Sequence, residues 1–299
     1  MEGIYKQIEL AGRTCYKSFD KITEGSAEPF VNRMMSNHHL SVLEHGTVYL
    51  TIPYDYVDVS CKLEVPIVSD VVEKYKKNPY TKWWLRDDVF SRLAFITTNY
   101  RVLVENNWLD DLKYLCEPTE FHEPRISVKF ICSRSISHEL VRHRVFSFTQ
   151  ESQRYVGYNK SKFGGEITYI IPSWSKLEEG DWKPLTEEEK IKLYKASEDK
   201  IQFDRDLRFS NSLFWDEVTY MDLISNGCKP QEAREVLPNA TKTEIIMTGF
   251  LSDWIGSEEK RKGFFPLRCD FAAHPDMRAL VFPLKEEFIR RGYINEKNE

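Results

Sequence analysis

Between Arg142 and Tyr155 the chain reads Arg-His-Arg-Val-Phe-Ser-Phe-Thr-Gln-Glu-Ser-Gln-Arg-Tyr, which packs three guanidinium groups, an imidazole and several hydroxyls into one short run. Guanidinium forks match phosphate oxygens in two bonds at once and stay charged at any working pH, so the chemistry suggested is anion capture. A solvated basic face is the alternative for such a run. The interleaved Val145, Phe146, Phe148 and Tyr155 argue for partial burial, and buried cations need counter-charges or ligand anions.

The whole chain is acidic, with net charge −5 over 299 residues. Broad nucleic-acid affinity requires a basic surface that neutralises many phosphates, so no nucleic-acid partner is expected. Local cation clusters in an acidic protein point to small anions such as nucleotides. Hydrophobic residues make up 41% and charged residues 30%, a globular composition. No apolar run approaches the ~20 residues of a membrane span. Met1–Lys6 lacks the apolar core of a signal peptide, and a cytoplasmic location is expected. Six cysteines lie far apart without a Cys-x-x-Cys pair, so reduced thiols are expected rather than a disulfide framework or zinc ribbon. Cys269 adjoins Arg268 and is the thiol of interest. His38, His39, Glu44 and His45 carry metal-ligand chemistries, but the spacing is not His-Glu-x-x-His, and no metal is expected. Local pairing with Glu44 is the rival role for His38 and His45.

The elements that must position these residues follow from periodicity. The first ~55 residues read as helix, helix and strand, with Thr47–Ile52 alternating as a half-buried strand that stops at Pro53. Residues from about 60 to about 95 read as an insertion with helical pieces. A helix is expected over 97–108 after a capping turn, and a strand over Arg125–Cys132. Ser135–Arg144 reads as a helix with Ser135 or Ser137 as cap and Ile136, Leu140 and Val141 inward. The cationic run therefore leaves a helix C-terminus and enters a loop. Lys160–Gly180 reads as a long surface loop, and Thr186–Gly227 as a long helix either broken or packed between subunits. Pro230 opens a short helix that Pro238 ends, and a last helix runs from Pro275 to Arg291, closed by Gly292.

Arg142-His143-Arg144, seven residues, then Ser152, with Arg154-Tyr155 trailing, resembles the signature of the flavin-dependent thymidylate synthase family. Three further elements resemble that family in order: His39-Leu40-Ser41-Val42-Leu43-Glu44-His45, Ala233-Arg234-Glu235-Val236-Leu237-Pro238, and Phe264-Phe265-Pro266-Leu267-Arg268 with Ala273–Arg278. The resemblance implies one α+β domain over 1–299, with an antiparallel or mixed central sheet flanked by helices. It implies FAD as cofactor, held by His39, Ser41, Glu44, Arg142, His143 and Arg144. It implies a dUMP side made of Glu139, Gln150, Glu151, Ser152, Arg154, Arg234 and Arg268. Arg268 and Ser152 are the expected catalytic-site residues: Arg234 and Arg268 add cations around the nucleotide, at least one of them facing a uracil carbonyl, and Ser152 is an orienting, phosphate-binding hydroxyl. NADPH and 5,10-methylenetetrahydrofolate are the implied cosubstrates, and a homotetramer with shared sites the implied assembly.

The sequence departs from the family pattern at three places. Glu139 stands where glutamine is common, Thr248-Gly249-Phe250 stands where Thr-Gly-Asn is frequent, and Ser257–Lys262 is an extra charged stretch expected to bulge outward. A flavin- and nucleotide-binding relative with altered chemistry, a nonenzymatic nucleotide- or RNA-binding protein, and a metal-dependent nucleotide hydrolase are the competing readings.

Overall fold

Helix α1 (Glu2–Tyr16) buries Ile4, Ile8 and Ala11, a stripe at helical spacing, and ends on Lys17 in the left-handed region (φ 44°). Helix α2 (Ala27–Ser36) packs Phe30, Val31 and Met34 against it. A 3₁₀ turn over Leu40–His45 leads into β1 (Thr47–Pro53), the strand expected there. The structure, a computed structural model, describes residues 1–54, 56–57, 65–66, 70–87, 92–154, 157–158, 165–257, 259–260 and 262–294. Tyr155, Cys61, residues 160–164 of the long loop, and Glu258 and Arg261 of the extra charged stretch lie outside the described residues.

The segment expected to hold helical pieces contributes strands as well. β2 (Tyr56–Val57) pairs with β3 (Val65–Pro66), α3 (Asp70–Lys76) follows, and β4 (Lys82–Asp87) and β5 (Arg92–Asn99) complete an antiparallel sheet in the order β1-β5-β4. β5 is its middle strand, which is why Ala94, Phe95 and Ile96 form an almost continuous apolar run instead of alternating. Asn99 caps α4 (Tyr100–Glu105) by accepting from the Val102 N–H.

β6 (Arg125–Ser133) appears where expected, followed by α5 (Arg134–Leu140) and β7 (Ser147–Gln150). Three details differ from the sequence reading. Ser133, one residue before the helix, is the cap, because only its Oγ reaches the Ile136 N–H. The helix stops at Leu140, leaving Val141 42% exposed, and the run after Arg144 enters a strand rather than a loop. Helix α6 (Glu187–Ala196) opens on a Thr186–Glu189 capping box, and α7 (Lys200–Ser225) restarts on Asp199, so the long helical pattern is broken at 197–199. α8 (Pro230–Ala233) precedes β8 (Lys242–Phe250), then α9 (Leu251–Ile255), α10 (Phe264–Arg268) and α11 (Pro275–Arg290) close the chain. Among the described residues no helix is long and apolar enough to cross a membrane.

β6, β8 and β7 form a second antiparallel sheet with β8 in the middle. The α+β expectation holds, and the described strands pair only antiparallel. They do so in two three-stranded sheets and a hairpin rather than one central sheet. Each large sheet has its own core, one around Leu43, Leu50, Ile96 and Tyr75, the other around Phe146, Met247, Trp254, Phe264 and Phe265.

A polar seam joins the two. His45, 1% exposed at the end of the 3₁₀ turn, meets Thr248 Oγ1 through Nδ1 (2.7 Å) and Thr149 Oγ1 through Nε2 (2.9 Å). Thr248 in turn meets Ser127 (2.7 Å), so one hydrogen-bond chain crosses the second sheet. Arg125 donates to the Glu44 carbonyl (3.0 Å) and to Ser147 Oγ (3.1 Å). Local pairing with Glu44 was the rival role for His45; the strand hydroxyls are its partners here.

Burial, with Arg125 nearby, holds the His45 pKa down to about 3. The unfolded chain takes up a proton below about pH 6.5, which the folded imidazole refuses, so stability falls as pH drops from about 6.5 toward 3. His143 and His122 act in the same direction. Urea unfolding at pH 7 and pH 5 should show His45→Gln less stable than the parent at pH 7 by about 1–3 kcal/mol, the cost of disturbing buried hydroxyls. It should also lose less stability on acidification, whereas an unchanged pH slope would mean that His45 does not titrate as described.

Candidate functional site

Helix α5 is the wall on which the cationic run is built. Ser133 caps its start, and Ile136 and Leu140 anchor it in the second core. At its C-terminal end Arg268, delivered by α10, is gripped at three points. Its Nε donates to His143 Nε2 (2.8 Å), Nη1 to Glu139 Oε2 (2.7 Å) and Nη2 to the Glu139 carbonyl (2.7 Å). A guanidinium only donates, so His143 Nε2 carries the lone pair and Nδ1 carries the hydrogen. Burial and the adjacent Arg268 charge lower the His143 pKa to about 4, which keeps this tautomer neutral. Phe264 packs edge-on against the imidazole, with ring centres 5.0 Å apart. Burial also lowers the Arg268 pKa, opposed by Glu139.

The described ends of the extra charged stretch meet. Two backbone hydrogen bonds between Ser257 and Lys262 close its base, and Gly256 (φ 67°) and Gly263 (φ 111°) lie against each other there.

A second group lies on the other side of α5. Gln150 Nε2 donates to Ser137 Oγ (2.8 Å) and Thr243 Oγ1 (3.2 Å). Ser137 and Glu139 are two residues apart, about 200° around the helix axis, so Gln150 and Arg268 flank opposite faces of α5. Ser152 donates its N–H to the Cys15 carbonyl (3.1 Å) at the end of α1, and its Oγ accepts from the Arg154 N–H (3.2 Å). Glu151 is 5% exposed and bridged to Lys17 (3.2 Å), while its Oε2 is enclosed with no hydrogen-bond partner among the described residues. Burial raises its pKa against the pull of Lys17. In neighbouring Glu244, burial is outweighed by Lys129, Lys242 and Lys17, and the pKa falls to about 2.

Sequence reasoning missed Arg134. It is half-buried at the start of α5, reaches Thr243 Oγ1 (3.4 Å), and stands close enough to Arg234, Tyr158 and Glu151 for their charges to act on it. Burial comes first among the causes that lower its pKa. Its only signal was a cation between two serines at a helix start. Arg234 itself is half-buried, with Glu235 at 3.7 Å.

The third group sits on the 3₁₀ turn. His39 Nδ1 meets Tyr16 Oη (2.9 Å), Ser41 is exposed, and Glu44 Oε1 accepts from Arg101 Nη1 (2.5 Å). Phe250, at the position of departure, is buried with Lys82 and Arg125 each 5.5 Å from its ring centre. Within one chain the structure thus joins Glu139, His143 and Arg268, and separately lines up Gln150, Glu151, Ser152 and Arg154 on one segment. Among the described residues the side-chain partners of Arg268 are His143 and Glu139, not the Ser152 segment. Arg142 and Arg144 are exposed, beside exposed Val141, Val145 and Leu267.

Fold and site define an α+β protein with arginines gathered at both ends of one short helix, α5. The chain belongs to the thymidylate synthase complementing protein family, whose model matches residues 97–291, more than half of the chain. It is similar to the flavin-dependent thymidylate synthase of Pyrococcus furiosus, 32% identical over 166 residues that cover 54% of this chain and 53% of the relative. It is also similar to those of Geobacter sulfurreducens (32% over 149 residues, 50% and 49%) and Corynebacterium glutamicum (34% over 122 residues, 41% and 43%). The chain spans about half the length of these curated relatives.

The grip on Arg268 is testable without ligand. In an Arg268→Ala variant, NMR titration of the histidine rings should move the His143 pKa upward from about 4, because the repelling cation is gone. A value that stays put would mean that Arg268 does not face the imidazole in solution.

Proposed function

We propose that this chain is a flavin-dependent thymidylate synthase that methylates dUMP to dTMP, using 5,10-methylenetetrahydrofolate as carbon donor and NADPH as reductant. The observation that carries the reading is the three-point hold on Arg268, which leaves one N–H on each terminal nitrogen for a ligand. A guanidinium so fixed can polarise a uracil carbonyl and draw electron density from C6, with no reorganisation at the moment of reaction. Ser152, its turn N–H groups and Arg154 would receive the phosphate, with Arg234 and the newly noted Arg134 adding charge. Ser152 has no base beside it and serves to orient.

FAD suits the remaining polar groups: His39, Ser41 and Glu44 on the 3₁₀ turn, and Arg142, His143 and Arg144 at the end of α5. When bound, it would supply the hydride that reduces the transferred methylene to methyl. The neutral His143 offers an Nδ1–H donor, and Arg142 and Arg144 offer permanent positive charge to a ring that gains negative charge on reduction. Since α5 separates the Ser152 segment from Arg268, a complete site is assembled from more than one protomer, in a homotetramer. The setting is the cytoplasm.

The purified protein should be yellow, and with NADPH and methylenetetrahydrofolate it should release tritium from C5-labelled dUMP. Arg268→Ala should slow that release by about 100-fold or more. Protein that binds flavin and dUMP but releases no tritium would replace this reading with a relative of altered chemistry, and protein that binds neither would reject it.

A further inference from the structure

We propose that Arg134 is a specificity-determining residue of this site: it bonds the phosphate of the nucleotide directly and, with Arg234, makes the site select a pyrimidine nucleotide over the same base and sugar without phosphate. This rests on the reading of the Ser152 segment as the phosphate end of a dUMP site.

Three separate parts of the chain converge beside Ser152. Arg134 reaches Thr243 Oγ1 through Nη1 (3.4 Å), and Gln150, two residues before Ser152, donates to the same hydroxyl (3.2 Å). On the other side of Ser152, Gln153 donates to Tyr158 Oη (3.3 Å). Tyr158 is buried in a small core with Ala233, the residue before Arg234. The backbone closes the arrangement. The Arg134 N–H donates to the Thr241 carbonyl (3.0 Å) and the Ser135 N–H to the Asn239 carbonyl (3.2 Å), which ties the start of α5 to the turn that follows Arg234.

The Arg134 guanidinium has five N–H bonds; among the described residues one is committed, to Thr243, and no carboxylate pairs with it. Glu151 acts on it only at longer range, and Arg234 repels it. Lys17, Lys129 and Lys242 already outnumber the two carboxylates they bridge, Glu151 and Glu244, so neither is left to neutralise Arg134. Glu235 lies against Arg234, at 3.7 Å, and is exposed. An exposed arginine would hand its spare donors to water. Half-buried and beside a second guanidinium, Arg134 keeps a charge that an anion relieves. Two guanidinium forks suit the several oxygens and double charge of a phosphate monoester better than the single charge of a carboxylate.

The experiment compares dUMP with deoxyuridine on the full chain saturated with FAD, at about pH 8, above the phosphate's second pKa of about 6. Calorimetry gives the dUMP affinity, and displacement of dUMP gives those of deoxyuridine and inorganic phosphate. Arg134→Met, which keeps the stem and removes the charge, should weaken dUMP by about 10- to 100-fold, weaken inorganic phosphate in parallel, and leave deoxyuridine unchanged. In turnover the loss should fall on KM for dUMP, with kcat nearly kept. Arg134→Lys should recover part of the dUMP affinity, because it restores charge without the fork. An Arg134→Met protein that binds dUMP as the parent does, or that loses dUMP and deoxyuridine alike, would overturn the proposal and leave the dUMP reading standing. A parent that binds no dUMP would remove both.

Discussion

Everything that could act on a ligand here depends on a buried imidazole that must stay uncharged. His45 closes the 3₁₀ turn that carries His39, Ser41 and Glu44, and it is held by hydroxyls on β7 and β8. β7 is the strand that connects the Arg142–Arg144 turn to Ser152. One side chain therefore fixes the separation between the turn from the first half of the chain and the cationic run from the second. Two threonine hydroxyls can satisfy a neutral imidazole, one accepting and one donating, but they cannot compensate a buried cation. Arg125 reinforces the seam from the side by tying the Glu44 carbonyl to Ser147.

Such seams stabilise weakly and specify strongly. A buried polar chain contributes little net free energy relative to an apolar one, but any other register of the two sheets would leave its donors and acceptors unpaired. The same logic runs through the site. Arg268 is held by a carboxylate, a carbonyl and an imidazole, so its orientation is set before a ligand arrives. Preorganised donors of that kind avoid reorganisation when charge develops. Around Ser152 the balance differs: three lysines satisfy Glu244, while one enclosed Glu151 oxygen has no hydrogen-bond partner among the described residues.

Much of this was legible in the chain. The helices at both ends, β1, β6 and the broken helix over 186–227 follow from periodicity and caps, and the fourteen-residue run located the chemistry. β8 and β5 were not read because strands in the middle of a sheet are apolar on both faces and lose the alternation that marks an edge. β7 was hidden because four residues are too few for a period. Arg134 went unnoticed because a single cation at a helix start looks like any surface arginine; only its proximity to Arg234 and Glu151 sets it apart. The partnership of Glu139, His143 and Arg268 spans 129 positions, a pairing that no local pattern reveals.

The separation across α5 gives the account its sharpest exposure. If the pocket closes only between protomers, Arg268 of one chain and Arg154 of another serve the same ligand. Arg268→Ala and Arg154→Ala proteins, each nearly inactive alone, are unfolded together, refolded as a mixture and assayed for tritium release from C5-labelled dUMP. Shared sites predict recovery toward about a quarter of the parental activity, the fraction that statistical mixing leaves intact in a closed oligomer. A mixture no more active than its two components would contradict the account.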